Sequence, residues 1–186
     1  MITTLIAGAV LVIAIFFIIG IYNSLQRLRI AAKTAWSDID VQLKRRHDLV
    51  PNLVNTVKGY ASHEREALEA VIAARSRAVD AGKQGIDQQV GAENMLTQAL
   101  GRLFALSEAY PDLKANQNFM QLQEELTSTE NKIGFARQHY NRSVGQYNEA
   151  MVVFPNNIIA GLFSFEKMPF FEIADPSHRE APKVAF

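Results

Sequence analysis

Cysteine is absent from the 186 residues of this sequence, and no charge excess exists, because Lys and Arg together number 19 and Asp and Glu also number 19. Without cysteine there are no disulfide bonds, no thiolate catalysis and no cysteine metal sites, which suits a reducing compartment without proving one. Without net charge, nothing favours nucleic acid as a partner, and we expect none. Ten glycines, six prolines and no low-complexity tract limit any disorder to the tail.

Charged side chains are also absent from the first 26 residues, where residues 5–22 form an almost entirely apolar run. A helix needs about 20 apolar residues to cross the hydrocarbon layer, and residues 2–22 reach that length. The segment lacks the basic start, the shorter apolar stretch and the small-residue cleavage site of a signal peptide. We therefore expect an uncleaved transmembrane anchor over residues 1–22. A cleaved signal peptide and a buried core helix are the alternatives.

The charges that follow this run predict its orientation. Arg27, Arg29 and Lys33 come directly after it, and no charged side chain precedes it. Basic residues next to a span stay on the cytoplasmic side. We expect a single-pass protein with a short N-terminus outside and the rest of the chain in the cytoplasm.

Apolar residues then recur at steps of three and four in four runs, and this spacing predicts amphipathic helices. The runs cover residues 25–43, 53–78, 95–106 and 119–154. A helix of about 36 residues, as in the last run, extends for about 54 Å. No strand-like alternation with turn residues occurs. The predicted fold class is all-α: an N-terminal transmembrane helix, then an up-and-down bundle of four long antiparallel helices over residues 23–154, with coiled-coil packing.

A basic cluster, Lys44-Arg45-Arg46-His47, lies between the first and second runs and is followed by Asp48 and Pro51. Cations suit the last turn of a helix, and proline is tolerated in a first turn. This pattern predicts a turn between two helices, with Asp48 as the N-cap of the second. A continuous helix kinked at Pro51 is the alternative. The cluster could also meet an acidic partner.

The C-terminal tail, residues 155–186, begins with an apolar segment. Four helices of alternating direction would return the chain to the bilayer at residue 155. Residues 155–171 contain Phe163, Phe165, Phe170 and Phe171 but only two charged residues. More apolar surface is present than a soluble tail normally shows. The segment either contacts the membrane interface or a partner, or folds back to cap the bundle.

No catalytic constellation is found. The sequence HEREA at residues 63–67 lacks the second histidine of a zinc-protease helix. Glu124, Glu125 and Glu130 are interpreted as part of a charged outer face. Neither a nucleophile elbow nor a phosphate-binding loop is present. We expect no catalytic residues, no metal and no cofactor.

Four stretches resemble the signature blocks of the LemA family of bacterial membrane proteins: YNSLQRLRIAAKTAWSDIDVQLKRRHDLVPNLVNTVKGYASHE, YPDLKANQNFMQLQEELTSTENKI, ARQHYNRSVGQYN and the ending PNNIIAGLFSFEKMPFFE. The resemblance covers residues 22–172. It implies an N-terminal anchor in the bacterial inner membrane, a cytoplasmic bundle of four long helices and no established enzymatic activity. It supplies no catalytic residues, and polar members of the blocks, including Arg45, Arg46 and Asp48, become candidate contact residues.

The resemblance also bears on function, since some relatives take part in organising magnetosome membranes and others are associated with a heat-shock-type membrane metalloprotease. Our first hypothesis is a non-enzymatic scaffold that self-assembles at the cytoplasmic face of the inner membrane, with lipid and copies of itself as partners. The alternative is a binding module that regulates an integral membrane partner such as that protease. The candidate contact residues are Arg45, Arg46, Asp48, Phe163, Phe165, Phe170 and Phe171.

Overall fold

A computed structural model describes residues 1–171, which form six helices and no strand. The helices are α1 (Ile2–Lys58), α2 (Arg65–Ala81), α3 (Ile86–Ser107), α4 (Pro111–Lys114), α5 (Gln117–Val152) and α6 (Asn156–Leu162). The predicted all-α class is confirmed. The final part of the predicted tail, residues 172–186, lies outside the described residues.

Helix α1 continues through Pro51, so the predicted turn over residues 44–51 is wrong and the continuous helix is right. Proline has no N–H, which leaves the carbonyl oxygen of His47, four residues earlier, without its helical donor. Arg75 on α2 supplies a substitute, because its Nε donates to that oxygen at 2.7 Å. Asp48 is consequently an exposed residue within a helix and not an N-cap.

The first helix ends instead at Lys58, and the predicted helix over residues 53–78 divides between α1 and α2. The connecting turn begins at Gly59 and places Ala61 in the core, where it is only 1% exposed. Val57, Ala61 and Leu68 therefore keep a helical spacing across a segment that is not helical. Periodicity alone could not reveal this break.

The chain divides into two compact units. Of the described residues, unit 2 contains residues 40–135 and Phe171. Its core joins apolar side chains from α1, α2, α3, α4 and the first part of α5. The fully buried members include Leu53, Val57, Val71, Leu96, Leu103, Leu113 and Phe119. The rings of Phe104 and Phe119 meet edge-on with centroids 6.4 Å apart. The core thus depends on all five helices of this unit.

Unit 1 comprises residues 1–39 and 136–170. Residues 2–20 of α1 are all exposed. Ile21 is the first residue to pack within the unit, and Leu25 is fully buried and joins Tyr147, Met151 and Ala160 in a small apolar cluster. After α6 the chain folds back, and Phe165 and Met168 pack on the same cluster.

Candidate functional site

An arginine is buried within unit 2, at a position where the apolar stripe of α1 passes through the core. Arg46 is 1% exposed and lies between Leu43 and Val50, which are both fully buried. Its Nη1 donates to Glu130 Oε2 at 2.6 Å and to Thr97 Oγ1 at 2.8 Å. Its Nη2 donates to a carboxylate oxygen of Glu93. A buried guanidinium requires such partners, since an unpaired charge in the core is very costly.

Glu93 on α3 is the counter-charge and is itself 1% exposed. Its second oxygen, Oε1, lies 2.8 Å from Nε2 of His47, so both carboxylate oxygens are engaged. Burial by itself raises the pKa of Glu93, but the hydrogen bond from His47 and the charge of Arg46 outweigh it and leave the pKa below its ordinary value. Glu93 is therefore ionised at neutral pH and stabilises the packing of α1 against α3. We call Arg46, His47, Glu93, Thr97 and Glu130 the ionic cluster.

Sequence reasoning missed this cluster. The basic run was interpreted as the end of a helix, but α1 does not end there, so that interpretation is wrong. Glu130 was interpreted as part of a solvated face, and the structure pairs it with Arg46. The available signal was Glu93, which interrupts the apolar stripe of α3 between Val90 and Leu96. A carboxylate on one core stripe and an arginine on another indicate a buried pair.

The other two predicted contact residues near the cluster are on the surface of unit 2. Arg45 is half-exposed, and its Nη2 lies 3.6 Å from Glu125 Oε2, which is equally exposed. Such an exposed pair contributes little to stability. Asp48 is exposed and lines a polar cleft with Lys44 and Arg75. Of the three polar candidates, only Arg46 has its charged group inside the fold.

Three of the phenylalanine candidates belong to unit 1. Phe163 and Phe165 both contact Tyr22, the last residue of the apolar run, with ring centroids 4.9 and 5.6 Å apart. Phe170 is 44% exposed and lies beside Gly145 on α5. Phe171 is 3% exposed and belongs to unit 2. The structure therefore brings Phe163 and Phe165 together at Tyr22 and leaves the other two elsewhere.

Hydrogen bonds from α5 hold the returning segment in place. The Tyr147 hydroxyl donates to the carbonyl oxygen of Glu166 at 2.9 Å, and burial raises the pKa of this tyrosine. Asn148 makes two bonds to the backbone of Met168, one to its N–H and one to its carbonyl oxygen, both at 2.9 Å. Tyr140 donates to the carbonyl oxygen of Pro169 at 2.7 Å. The segment is thus a fixed part of unit 1.

A contiguous stretch before this segment exposes large apolar side chains. We call Val152, Val153, Phe154, Ile158, Leu162 and Phe163 the apolar patch. Phe154 and Leu162 are the most exposed, at 75% and 71%. The opposite side of α6 is also apolar, since Ile159 and Ala160 are buried. Helix α6 therefore packs on one side and presents apolar side chains on the other.

Within residues 1–171, no group of three or more His, Asp or Glu side chains is arranged to hold a metal ion. One helix in that range, α1, is long and apolar enough to cross a membrane, and no residue of its apolar window is buried. The described residues thus define an all-helical protein with one candidate membrane span, one buried ionic cluster and one exposed apolar patch.

The chain belongs to the LemA family, whose pattern matches residues 35–186, so the predicted resemblance is confirmed. It is 26% identical over 174 residues to magnetosome protein MamQ of Magnetospirillum gryphiswaldense, covering 81% of this chain and 64% of that protein. It is 25% identical over 175 residues to magnetosome protein MamQ 2 of Paramagnetospirillum magneticum, with the same coverage. It is also 26% identical over 170 residues to protein LemA of Metamycoplasma hominis, covering 89% of this chain and 76% of that protein.

The chain therefore spans less than two thirds of the length of the two MamQ relatives. The names of these relatives describe no enzymatic activity. Together with the exposed apolar part of α1, the comparisons indicate a membrane-associated helical protein.

Proposed function

We propose that this protein is a non-enzymatic, membrane-anchored scaffold that self-assembles at the cytoplasmic face of a bacterial inner membrane. The observation that carries the proposal is the continuity of α1. Leu25 is fully buried in unit 1 only three residues after Tyr22, which closes the apolar run. Contacts already form at the end of the run, because Ile21 packs on the Leu25 cluster and Tyr22 contacts Phe163. The proposed anchor is thus joined to a packed unit without a flexible linker.

The hydrocarbon layer is the environment that suits the first part of α1. Side chains such as Ile6, Phe16 and Phe17 are each more than half exposed. In water this surface would be strongly unfavourable, while in lipid it is buried and the helix satisfies its own backbone. Arg27 and Lys33 are exposed directly after the run, which supports the cytoplasmic orientation of unit 1.

Self-assembly is supported by exposed apolar side chains elsewhere in the chain. In unit 2, Phe135 on α5 is 71% exposed and Val41 on α1 is 63% exposed. Exposed aromatic rings are typical of surfaces that become buried in an assembly. The ionic cluster, in which Arg46 and His47 pair with the carboxylate of Glu93, serves packing rather than chemistry.

The test is the mass of the full-length protein in mild detergent, measured by light scattering and corrected for bound detergent. We expect a defined oligomer, and we expect Phe135→Ser to reduce its mass. The matched control is Ile72→Ser, which removes a 51% exposed apolar side chain from α2. A monomeric wild-type protein would contradict the scaffold and favour the alternative, a module that binds and regulates an integral membrane partner.

Orientation has its own test, because the chain has no native cysteine. Ile2→Cys introduces a single thiol at the N-terminus. In intact spheroplasts we expect a membrane-impermeant maleimide to label it, and a cysteine replacing exposed Ile72 to remain unlabelled. Labelling of Ile2→Cys only after the membrane is opened would contradict the proposed orientation.

A further inference from the structure

The apolar patch lies at the same level of unit 1 as the end of the apolar run. Its member Phe163 contacts Tyr22 with the two rings tilted and their centroids 4.9 Å apart. The buried side of α6 is held in place, because Ala160 packs against Leu25 and Tyr147. The exposed side chains of α6 are therefore held next to the point where α1 would leave the bilayer.

The composition of this stretch matches lipid better than water or a polar partner. No charged residue occurs from residue 150 to residue 165, although the whole chain has 38 charged side chains, 19 of each sign. On α6, Ile158 and Leu162 are one turn apart, so they form a single apolar ridge, 59% and 71% exposed. The only polar residues of the helix are Asn156 and Asn157 at its start.

The surroundings of the patch supply the complementary headgroup contacts. Arg27 and Lys33 follow the apolar run on α1, and Lys167 follows Phe165 on the returning segment; all three are exposed. Basic residues near a membrane surface attract anionic headgroups. Tyr22, with an apolar ring and a polar hydroxyl, is a residue typical of the membrane interface.

We propose that residues 152–163 insert into the interfacial layer of the bilayer beside α1, with lipid covering Ile158 and Leu162. This inference rests on the proposed anchor, since it requires residues 2–22 to span the membrane. Lipid is favoured over a protein partner because the patch is continuous with the exposed anchor through Tyr22 and Phe163. The protein then contacts the membrane at two places, through the span and through residues 152–163.

The test uses the full chain in vesicles of phosphatidylcholine and phosphatidylglycerol, with single cysteines carrying nitroxide labels. Ile158→Cys and Leu162→Cys report on the patch, Ile13→Cys on the anchor, and Ile72→Cys on an exposed helix of unit 2. Electron paramagnetic resonance compares collisions with oxygen, which dissolves in lipid, and with a water-soluble nickel chelate. Fluorescence of the single tryptophan, Trp36, which meets the ring of Tyr140 edge-on, verifies that unit 1 stays folded.

We expect the oxygen-to-nickel ratio at residues 158 and 162 to exceed that at residue 72 several-fold, with a depth of about 5–10 Å, as for interfacial helices. Ratios equal to that at residue 72, with residue 13 in lipid, would overturn the inference and leave the anchor intact. Low collision rates with both reagents would also overturn it, since protein would then cover the patch. An aqueous ratio at residue 13 would refute the anchor itself and the inference with it.

Discussion

Arg75 donates a hydrogen bond from its Nε to the backbone carbonyl oxygen of His47 at 2.7 Å, in the place that the missing N–H of Pro51 leaves open. A proline inside a helix normally costs about 3 kcal/mol, partly because this carbonyl loses its donor. A side chain from a neighbouring helix here restores the bond. The continuity of α1 is therefore a tertiary effect, maintained by α2.

Arg75→Leu should lower the free energy of unfolding by about 1–3 kcal/mol, because it leaves the carbonyl of His47 without a donor. In a Pro51→Ala background residue 51 regains an N–H, so the same substitution should cost clearly less. Urea unfolding followed by circular dichroism measures all four proteins of this double-mutant cycle. Arg77→Leu, on the exposed side of α2, is the control, with an expected change within about 0.5 kcal/mol. Equal costs in both backgrounds would show that Arg75 does not compensate for Pro51.

Arg46→Met should be among the most destabilising substitutions in the chain, by about 3–5 kcal/mol, because it leaves Glu93 charged and buried. Combining it with Glu93→Leu removes both charges and should recover much of that loss. Arg45→Met, one residue earlier and half-exposed, should cost less than about 1 kcal/mol. Thermal unfolding in mild detergent distinguishes the three. A double variant less stable than Arg46→Met alone would contradict the pairing.

Glu93 should also make stability depend on pH. Its folded-state pKa is lowered from the ordinary value of 4.5, so the folded state binds the proton less readily than the unfolded state. Its contribution is therefore full above the unfolded-state pKa and is lost as the pH falls through the lower folded-state pKa. We expect the difference in melting temperature between wild type and Glu93→Gln to shrink in that acidic range. Glu69→Gln, which removes an exposed carboxylate from α2, is the matched control.

Ser164 adopts a left-handed conformation with φ of 53° just after α6. The Phe165 N–H bonds to the carbonyl oxygen of Ala160 at 2.9 Å, which closes the helix and turns Phe165 back towards Tyr22. A side chain makes this conformation sterically unfavourable, whereas glycine adopts it freely but loses more backbone entropy on folding. The net effect of Ser164→Gly should be to stabilise unit 1 by about 0.5–1 kcal/mol. Ser164→Val should destabilise it. Melting temperatures in the order Gly, Ser, Val would agree, and the reverse order would not.

The sequence predicted those parts of the fold that depend on local spacing. The exposed apolar start of α1 and the all-α class follow from periodicity and length, and so does the approximate extent of α5. Helix α3 begins at Ile86, nine residues before the predicted start of its apolar run. The predicted break before Pro51 failed because the donor that replaces its N–H comes from Arg75, 24 residues further along the chain. The real break at Gly59 was hidden because Ala61 continues the apolar spacing through the turn.

The candidate site was predicted less well because it also depends on contacts between residues that are distant in the sequence. Arg46 was identified as notable, but its burial depends on Glu93, which is 47 residues away and has no local signature beyond interrupting an apolar stripe. The phenylalanines of the tail were recognised from composition. Their separation, with Phe163 and Phe165 at Tyr22 and Phe171 in the other unit, requires the tertiary fold.

The unbroken passage of α1 from Tyr22 to the buried Leu25 also has a mechanical consequence. A span that is too long for its bilayer tilts, and a flexible linker would absorb that tilt. If residues 2–22 span the bilayer as proposed, Leu25 is buried within one turn of the lipid, so a change of bilayer thickness would tilt unit 1 together with the span. In the proposed scaffold, membrane thickness would thereby set the angle at which each copy meets its neighbour.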